Sequence, residues 1–337
     1  MSGLEEVAQG LATFLSKELG WQLRVEHLRV ASAGARRRNV LFDAVGEGRV
    51  LPLVATIIPA QSIQLMGVEV EAASLRLAER AGVPVAHVHA VCSEPGPVGG
   101  PFFVTTRIEG DTIPRRVLRR VEATPGLGAR LARQCGAALA HLHAADPASA
   151  HPRLTRPAQG RPVEQALVGV EALLRGLLQP SPALWLCLRW LERERPPDVE
   201  PRVIHSDLRN GNLVVSDDGL AAVLDWEGSR IGDPMEDLAW PCVRMWRFRN
   251  DSLEVGGFGT REDLRRGYEE AGGHFDEARF HWWKVLGTVR WGLGLAGQAA
   301  AHLDGSFRSI VMAGSGRRVA ELEYDALMLL QGAYGPR

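Results

Sequence analysis

Lysine is almost missing from this 337-residue chain: of 39 basic residues only Lys17 and Lys284 are lysines, and the rest are arginines. Any cationic role between those two positions therefore falls to arginine, which can grip an oxyanion with two bonds at once. A dominant charge sign is missing as well. Thirty-nine basic against 40 acidic residues leave a net charge of −1, which removes the electrostatic case for nucleic acid or a membrane surface as partner. Cysteine is scarce: Cys92, Cys135, Cys187 and Cys242 are scattered without metal-type spacing and read as isolated thiols in a reducing compartment. There is no signal-peptide pattern at the N-terminus and no apolar run of membrane-spanning length, so the expectation is a soluble, cytoplasmic protein. What is present is 45% hydrophobic content, enough for a large core in one bilobal unit or two domains.

Periodicity orders the chain. Leu4, Val7, Leu11 and Leu15 recur at helical spacing and stop near Gly20, predicting an amphipathic opening helix over Leu4–Glu18. Arg24–Arg38 reads as a strand running into a small-residue turn, and Val40–Ala44 and Leu51–Ile58 as strands around Gly46–Gly48. A helix over Glu69–Ala81 stops at Gly82, and Val85–Val91 and Phe102–Ile108 complete a mixed sheet. From Glu109-Gly110 onward the chain reads as mostly helical, with helices at 127–145, 163–178, 181–195, 262–272, 276–303 and 309–331. No internal repeat interrupts this order.

The richest stretch is His205-Ser206-Asp207-Leu208-Arg209-Asn210-Gly211-Asn212, followed by Val223-Leu224-Asp225-Trp226-Glu227. Short apolar runs at Arg202–Ile204, Leu213–Val215 and Leu220–Leu224 bracket these blocks, with Asp217-Asp218-Gly219 as a turn. Such strands present Asp207, Asn212 and Asp225 on neighbouring loops at one edge. A carboxylate, an amide and a second carboxylate gathered there suit metal-assisted phosphoryl transfer: one orients a hydroxyl and takes its proton, the others hold hard cations through oxygen.

His205-x-Asp207-x4-Asn212 followed by Asp225 resembles the phosphotransfer core of protein kinases and aminoglycoside phosphotransferases. The run Val223–Trp240 is similar to one branch, the bacterial predicted phosphotransferases related to the kinase-like domains of some acyl-CoA dehydrogenases. Ser32–Ala44, Pro101–Pro114, Ala138–Pro147, Val255–Gly272 and Leu286–Tyr324 also resemble that branch, so the similarity spans nearly the whole chain. It implies an α+β, bilobal protein-kinase-like fold. A small N-terminal sheet lobe (1–109) would cover the nucleotide, and a large, mainly helical C-terminal lobe (110–337) would carry the catalytic loop, metal site and acceptor region. It further implies a small-molecule kinase using ATP, with GTP open, and Mg2+, acting on a hydroxyl acceptor.

On this resemblance Asp207 is the catalytic base or hydroxyl-orienting group, Arg209 reaches the transferring phosphate, and Asn212 and Asp225 are the metal ligands. His205 is a structural brace, and Asp233 and Asp237 fix backbone amides. Ser206 stands where glycine is common, a tolerable change if the position needs no positive φ. Ser32, Gly34 and Arg36 lie in the loop covering the phosphates, and Thr106 and Ile108 in the hinge that would bind the adenine edge. The family carries lysine or arginine at the centre of the strand that here reads Leu53–Pro59, yet that centre is Ala55-Thr56. Glu71 matches the glutamate that would pair with the missing cation, and Arg36, Arg37 or Arg38 could reach in from the loop to replace it. Two alternatives share the motif: a true aminoglycoside O-phosphotransferase, and a nucleotide-binding pseudokinase lacking the cation. For the acceptor, ten acidic against nine basic residues over Arg261–Leu330 give no funnel for a polycation. Trp282, Trp283, Arg290, Trp291 and His302 instead suggest an apolar cleft with a few cations.

Overall fold

The computed structural model describes residues 3–33, 37–59, 65–94 and 98–333, the side chains of residues 32 and 33 excepted. The first helix, α1 (Gly3–Leu19), buries Val7, Leu11 and Leu15, one stripe at i, i+4, i+8. That stripe covers a five-stranded sheet of β1 (Arg24–Ala33), β2 (Arg38–Gly46), β3 (Arg49–Ile57), β4 (Val88–Cys92) and β5 (Phe102–Thr106), in the spatial order β1-β2-β3-β5-β4. Every pairing is antiparallel, so the sheet is not mixed. Period-2 patterning marks strands but does not name their neighbours. The core under α1 takes Phe42, Leu53, Ala55, Ile57 and Phe102, and Phe14 meets Phe102 edge-on at 5.0 Å. Leu11 is fully buried there, and truncating it to alanine would cost about 2–5 kcal/mol.

Strand alternation sends Thr56 to the opposite face, where it lies in register with Asn39 and Phe103 and donates to Asn39 Oδ1 at 3.0 Å. Helix α2 (Val68–Arg80) packs on β4 and β5 and buries Glu71 within its first turn. Past β5, a bridge between Asp111 and Val215 (2.8 and 3.0 Å) ties the connecting segment to the catalytic strands.

The remainder is helical: α3 (Pro114–Ala123), α4 (Leu127–Ala144), α5 (Pro162–Arg175), α6 (Pro182–Arg193), α7 (Pro234–Ala239), α8 (Arg261–Glu270), α9 (Glu277–Leu303), α10 (Ile310–Gly316) and α11 (Val319–Leu330). The single helix expected over 309–331 is two, broken at Arg317-Arg318 directly after Gly314 and Gly316, residues that weaken a helix interior. Two ribbons interrupt the helices, β6 (Arg202–Ile204) with β9 (Arg230–Gly232) and β7 (Leu213–Ser216) with β8 (Gly219–Val223). Helices α4 and α8 touch backbone to backbone. A Cβ on Gly136 would sit 2.1 Å from the Leu264 carbonyl oxygen, and one on Gly267 2.0 Å from that of Arg133. This close approach delivers His143 of α4 and Tyr268 of α8 to the catalytic loop. Among the described residues no helix is long and apolar enough to cross a membrane.

Candidate functional site

The loop of residues 205–212, between β6 and β7, is held by polar anchors. Asp237 of α7 is wholly buried and accepts from the backbone N–H of His205 (2.7 Å) and of Ser206 (2.5 Å). It also takes the proton-bearing Nε2 of His143 at 3.1 Å, whose Nδ1 meets the Tyr268 hydroxyl at 2.9 Å. Burial works to push the Asp237 carboxyl up, but these partners hold it below the usual carboxylate range. His205 is fully buried and braces the other side. Its Nδ1 accepts from the Asp207 N–H at 3.1 Å, so Nε2 carries the proton and donates to the Leu224 carbonyl at 3.0 Å, next to Asp225. Trp226 packs edge-on against its ring at 4.6 Å. Ser206 has φ 69°, in the left-handed region, so the condition for a harmless replacement of glycine is not met. Its Oγ donates to the Gly228 carbonyl at 2.6 Å, which helps hold the strained backbone.

Asp207 is approached by three donors. Oδ1 accepts from Arg209 Nε (3.0 Å) and Trp240 Nε1 (2.7 Å), and Oδ2 from Asn212 Nδ2 (2.6 Å). The carboxylate is therefore fixed in place. Arg209 lies over the Trp246 ring at 4.5 Å and turns its Nε to Asp207; what it does here is clamp the carboxylate. Because the Asn212 amide nitrogen is spent on Asp207, its Oδ1 is left as the acceptor for a cation. Asp225 follows β8 in a left-handed conformation (φ 65°), and its buried Oδ1 has no hydrogen-bond partner among the described residues. A carboxylate oxygen without a hydrogen bond and an amide oxygen on the preceding loop are oxygen donors of the kind that fits a hard divalent cation. No group of three His, Cys, Asp or Glu side chains suited to a metal occurs among the described residues.

Facing this loop is Arg37, at the entry to β2. Its Nη1 and Nη2 hold Glu71 at 2.8 and 2.9 Å, Nη2 lies 2.7 Å from Glu227 Oε2, and Nη1 lies 3.8 Å from Asp225 Oδ1. Burial pushes the Glu71 carboxyl up, opposed by Arg37; burial works against the Arg37 charge, but Glu71, Glu227 and Asp225 outweigh it and raise its pKa. The bidentate geometry is that of a charged pair. Neither lysine is near: Lys17 closes α1, and Lys284 is buried in α9, 2.5 Å from Glu254.

The other predicted positions fall as follows. Ser32 lies in β1 opposite Asn39, while Gly34 and Arg36 lie outside the described residues. Thr106 ends β5, with its Oγ1 2.8 Å from His89 Nε2, and the strand pairing stops before Ile108. Asp233 caps α7 through the Met235 N–H (3.0 Å) and pairs with Arg279 at 2.6 Å. Trp282 and Trp283 are core side chains, 1% and 2% exposed, and Trp282 donates to the Leu191 carbonyl at 2.9 Å, so they line no cleft. His302 accepts from the Ser309 N–H at 3.1 Å, within the turn after α9. Arg290 does approach the site, stacking on Trp240 at 5.2 Å and pairing with Glu236. It lines a 550 Å³ cavity walled by apolar residues of α5, with Arg156 and Arg230 on its rim.

Known proteins share part of this sequence and its fold. The chain is 30% identical over 197 residues to human acyl-CoA dehydrogenase family member 11, covering 54% of this chain and 24% of that protein. It is 25% identical over 217 residues to mouse acyl-CoA dehydrogenase family member 10, covering 60% of this chain and 20% of that protein. It thus spans a fifth to a quarter of the length of these relatives. Among solved structures, a candidate aminoglycoside phosphotransferase from Ralstonia eutropha superposes with a TM-score of 0.72 at 20% identity, covering 96% of this chain and 98% of the other. A thermostable mutant of aminoglycoside phosphotransferase APH(4)-Ia, in ternary complex with AMP-PNP and hygromycin B, gives 0.61 at 18%, covering 98% and 100%. The fold is that of the bilobal kinase-like phosphotransferases. A family model described as the phosphotransferase enzyme family matches residues 27–283, and the chain belongs to that family.

Proposed function

We propose that this chain is an ATP-dependent phosphotransferase that moves the γ-phosphoryl group to a hydroxyl of a small molecule. The observation that carries this reading is the convergence of Asp207, Asn212 and Asp225 on one edge, with the Asn212 amide bonded to the Asp207 carboxylate and the Asp225 Oδ1 accepting no hydrogen bond among the described residues. The acceptor oxygen forms the new bond to phosphorus as the bond to the ADP oxygen breaks, and its proton passes to Asp207. Three donors already bond to Asp207, which suits a group whose work is to position the hydroxyl; a loose transition state asks little of a strong base. Asn212 and Asp225 would hold magnesium, whose positive charge would offset the negative charge of the nucleotide phosphates. One guanidinium, Arg37, is shared among Glu71, Asp225 and Glu227 at the edge where that ion would lie.

In this reading residues 1–109 form the nucleotide-covering lobe and 110–337 the catalytic and acceptor lobe. The adenine edge meets the hinge backbone at Thr106–Ile108; structural relatives bound to AMP-PNP and to GDP support a nucleotide and leave ATP against GTP open. Relatives solved with hygromycin B or named for macrolides support a small-molecule acceptor. If the acceptor enters the cavity beside Arg290, its largely apolar α5 wall, with Arg230 and Arg290 both paired to Glu236, favours a hydroxylated acceptor over a polycation. Four free cysteines suit the reducing cytoplasm.

A second reading, a nucleotide-binding pseudokinase, is favoured by one feature: Ala55 is buried in the core and Thr56 is spent on Asn39 where the family has a cation. ADP formation from ATP across a panel of aminoglycosides, sugars and hydroxy acids separates the two. The phosphotransferase reading expects at least one acceptor to raise ADP formation above water-driven hydrolysis, and Asp207→Asn to abolish the rise. Bound nucleotide with no acceptor-dependent ADP from any of them would move the pseudokinase to the front.

A further inference from the structure

We propose that Arg37 is the phosphate-binding cation of this site, supplied from the chain entering β2 in place of a cation on β3. The inference rests on the phosphotransferase reading above and names how its electrostatic gap is closed. On β3, Leu53, Ala55 and Ile57 point into the core beneath α1, so Thr56 marks the face where a strand-borne cation would project. Thr56 is in register with Asn39, and Asn39 is two residues beyond Arg37, which places Arg37 on that same face one strand away. From there its side chain spans to Glu71 on α2 and to Asp225 and Glu227 beyond β8.

An arginine serving only as a core ion pair would have its charge spent on one carboxylate. Arg37 does more. It grips Glu71 with both terminal nitrogens and still presents that end of its fork to Glu227 and, at 3.8 Å, to Asp225 Oδ1, which accepts no hydrogen bond among the described residues and marks the point where phosphate oxygens would meet the cation. Arginine can hold a glutamate and a phosphate together because its donors are fixed in a planar fork. Among the described residues, Arg37 is the one cation paired with Asp225. Glu71 is the residue that positions it: 2% exposed on α2, it holds the guanidinium against the face of the sheet.

The test titrates the full chain with Mg-AMP-PNP and, separately, with adenosine, comparing wild type, Arg37→Ala, Arg37→Ala with Thr56→Lys, and Asp225→Ala. A phosphate cation predicts that Arg37→Ala weakens Mg-AMP-PNP about tenfold to a hundredfold while adenosine affinity changes by less than about twofold. Thr56→Lys, which restores a cation to β3, should recover part of the loss. Equal weakening of both ligands would assign Arg37 a structural role, and unchanged Mg-AMP-PNP affinity would remove it from the site; either overturns the proposal. If leaving Glu71 unpaired prevents Arg37→Ala from folding, Arg37→Gln, which keeps a hydrogen-bond donor without the charge, is read by the same two titrations. Should Arg37→Ala bind normally while Asp225→Ala loses Mg-AMP-PNP, the Arg37 assignment alone fails. Should the wild type bind neither ligand, the phosphotransferase reading fails with it.

Discussion

The 205–225 loops and the Thr56 face of the sheet assemble charge by opposite routes. In the loop, Asp207, Asn212 and Asp225 lie within 19 residues of one another in sequence, and the order comes from backbone anchors: Asp237 holds two amides and His205 spans to Leu224. On the sheet side the partners are far apart in sequence, Arg37 with Glu71 and then with Asp225 and Glu227, and the order comes from a half-buried guanidinium shared among three carboxylates. A motif can be spelled in a loop because neighbouring residues share a backbone. A long side chain reaching across strands can start from more than one position, so the same charge can be delivered from β2 or β3.

Perturbing each side should give distinct failures. The largest effect is expected in the loop: Asp207→Asn should lower phosphoryl transfer by roughly 10²–10⁴-fold, with Mg-ATP affinity held within about twofold, as steady-state rates and calorimetry would show. A loss of affinity equal to the loss of rate would remove Asp207 from a purely positional role. Next comes Asp237→Ala, which strips the anchors of His205 and Ser206 and leaves two buried amides unpaired. It should cost about 3–5 kcal/mol of unfolding free energy in urea titration. Because the Asp237 carboxyl is held below its ordinary value, its contribution is present above the unfolded carboxylate pKa of about 4 and is lost as pH falls through the folded value. Wild-type stability should therefore drop on acidification, and the drop should be shallower in Asp237→Asn.

On the sheet side, Glu71→Gln should weaken Mg-AMP-PNP several-fold, about 1 kcal/mol for a charge-assisted bond reduced to a neutral one, while leaving adenosine unaffected. The smallest effect belongs to Thr56→Val. Removing its bond to Asn39 should cost about 1 kcal/mol and leave nucleotide affinity unchanged, because in this chain that strand carries no phosphate ligand. A loss of nucleotide affinity in Thr56→Val would blur the contrast between the two strands.

Much of this was legible in the residues. Helical spacing of Val7, Leu11 and Leu15 announced α1, and the short apolar runs around 205–225 announced the strands that present the catalytic loop. The antiparallel order of the sheet was not readable, since alternation along a strand says nothing about which strand lies beside it. β9 escaped because three residues, Arg230–Gly232, carry no period. Trp282 and Trp283 misled because an indole at helical spacing has the same pattern whether it lines a cleft or fills a core. The strain at Ser206 lay hidden because serine gives no sign of positive φ. Arg37 could be listed among three adjacent arginines but not chosen; only the register of β2 on β3 places it on the Thr56 face.

The measurement that tests the central claim most directly is calorimetric titration of Mg-ATP into the wild-type chain and into Asp225→Ala, with and without the metal. A working phosphotransfer site predicts binding that requires the divalent cation in the wild type and is lost in Asp225→Ala. Failure of the wild type to bind at millimolar nucleotide, or metal-independent binding unchanged in Asp225→Ala, would contradict it.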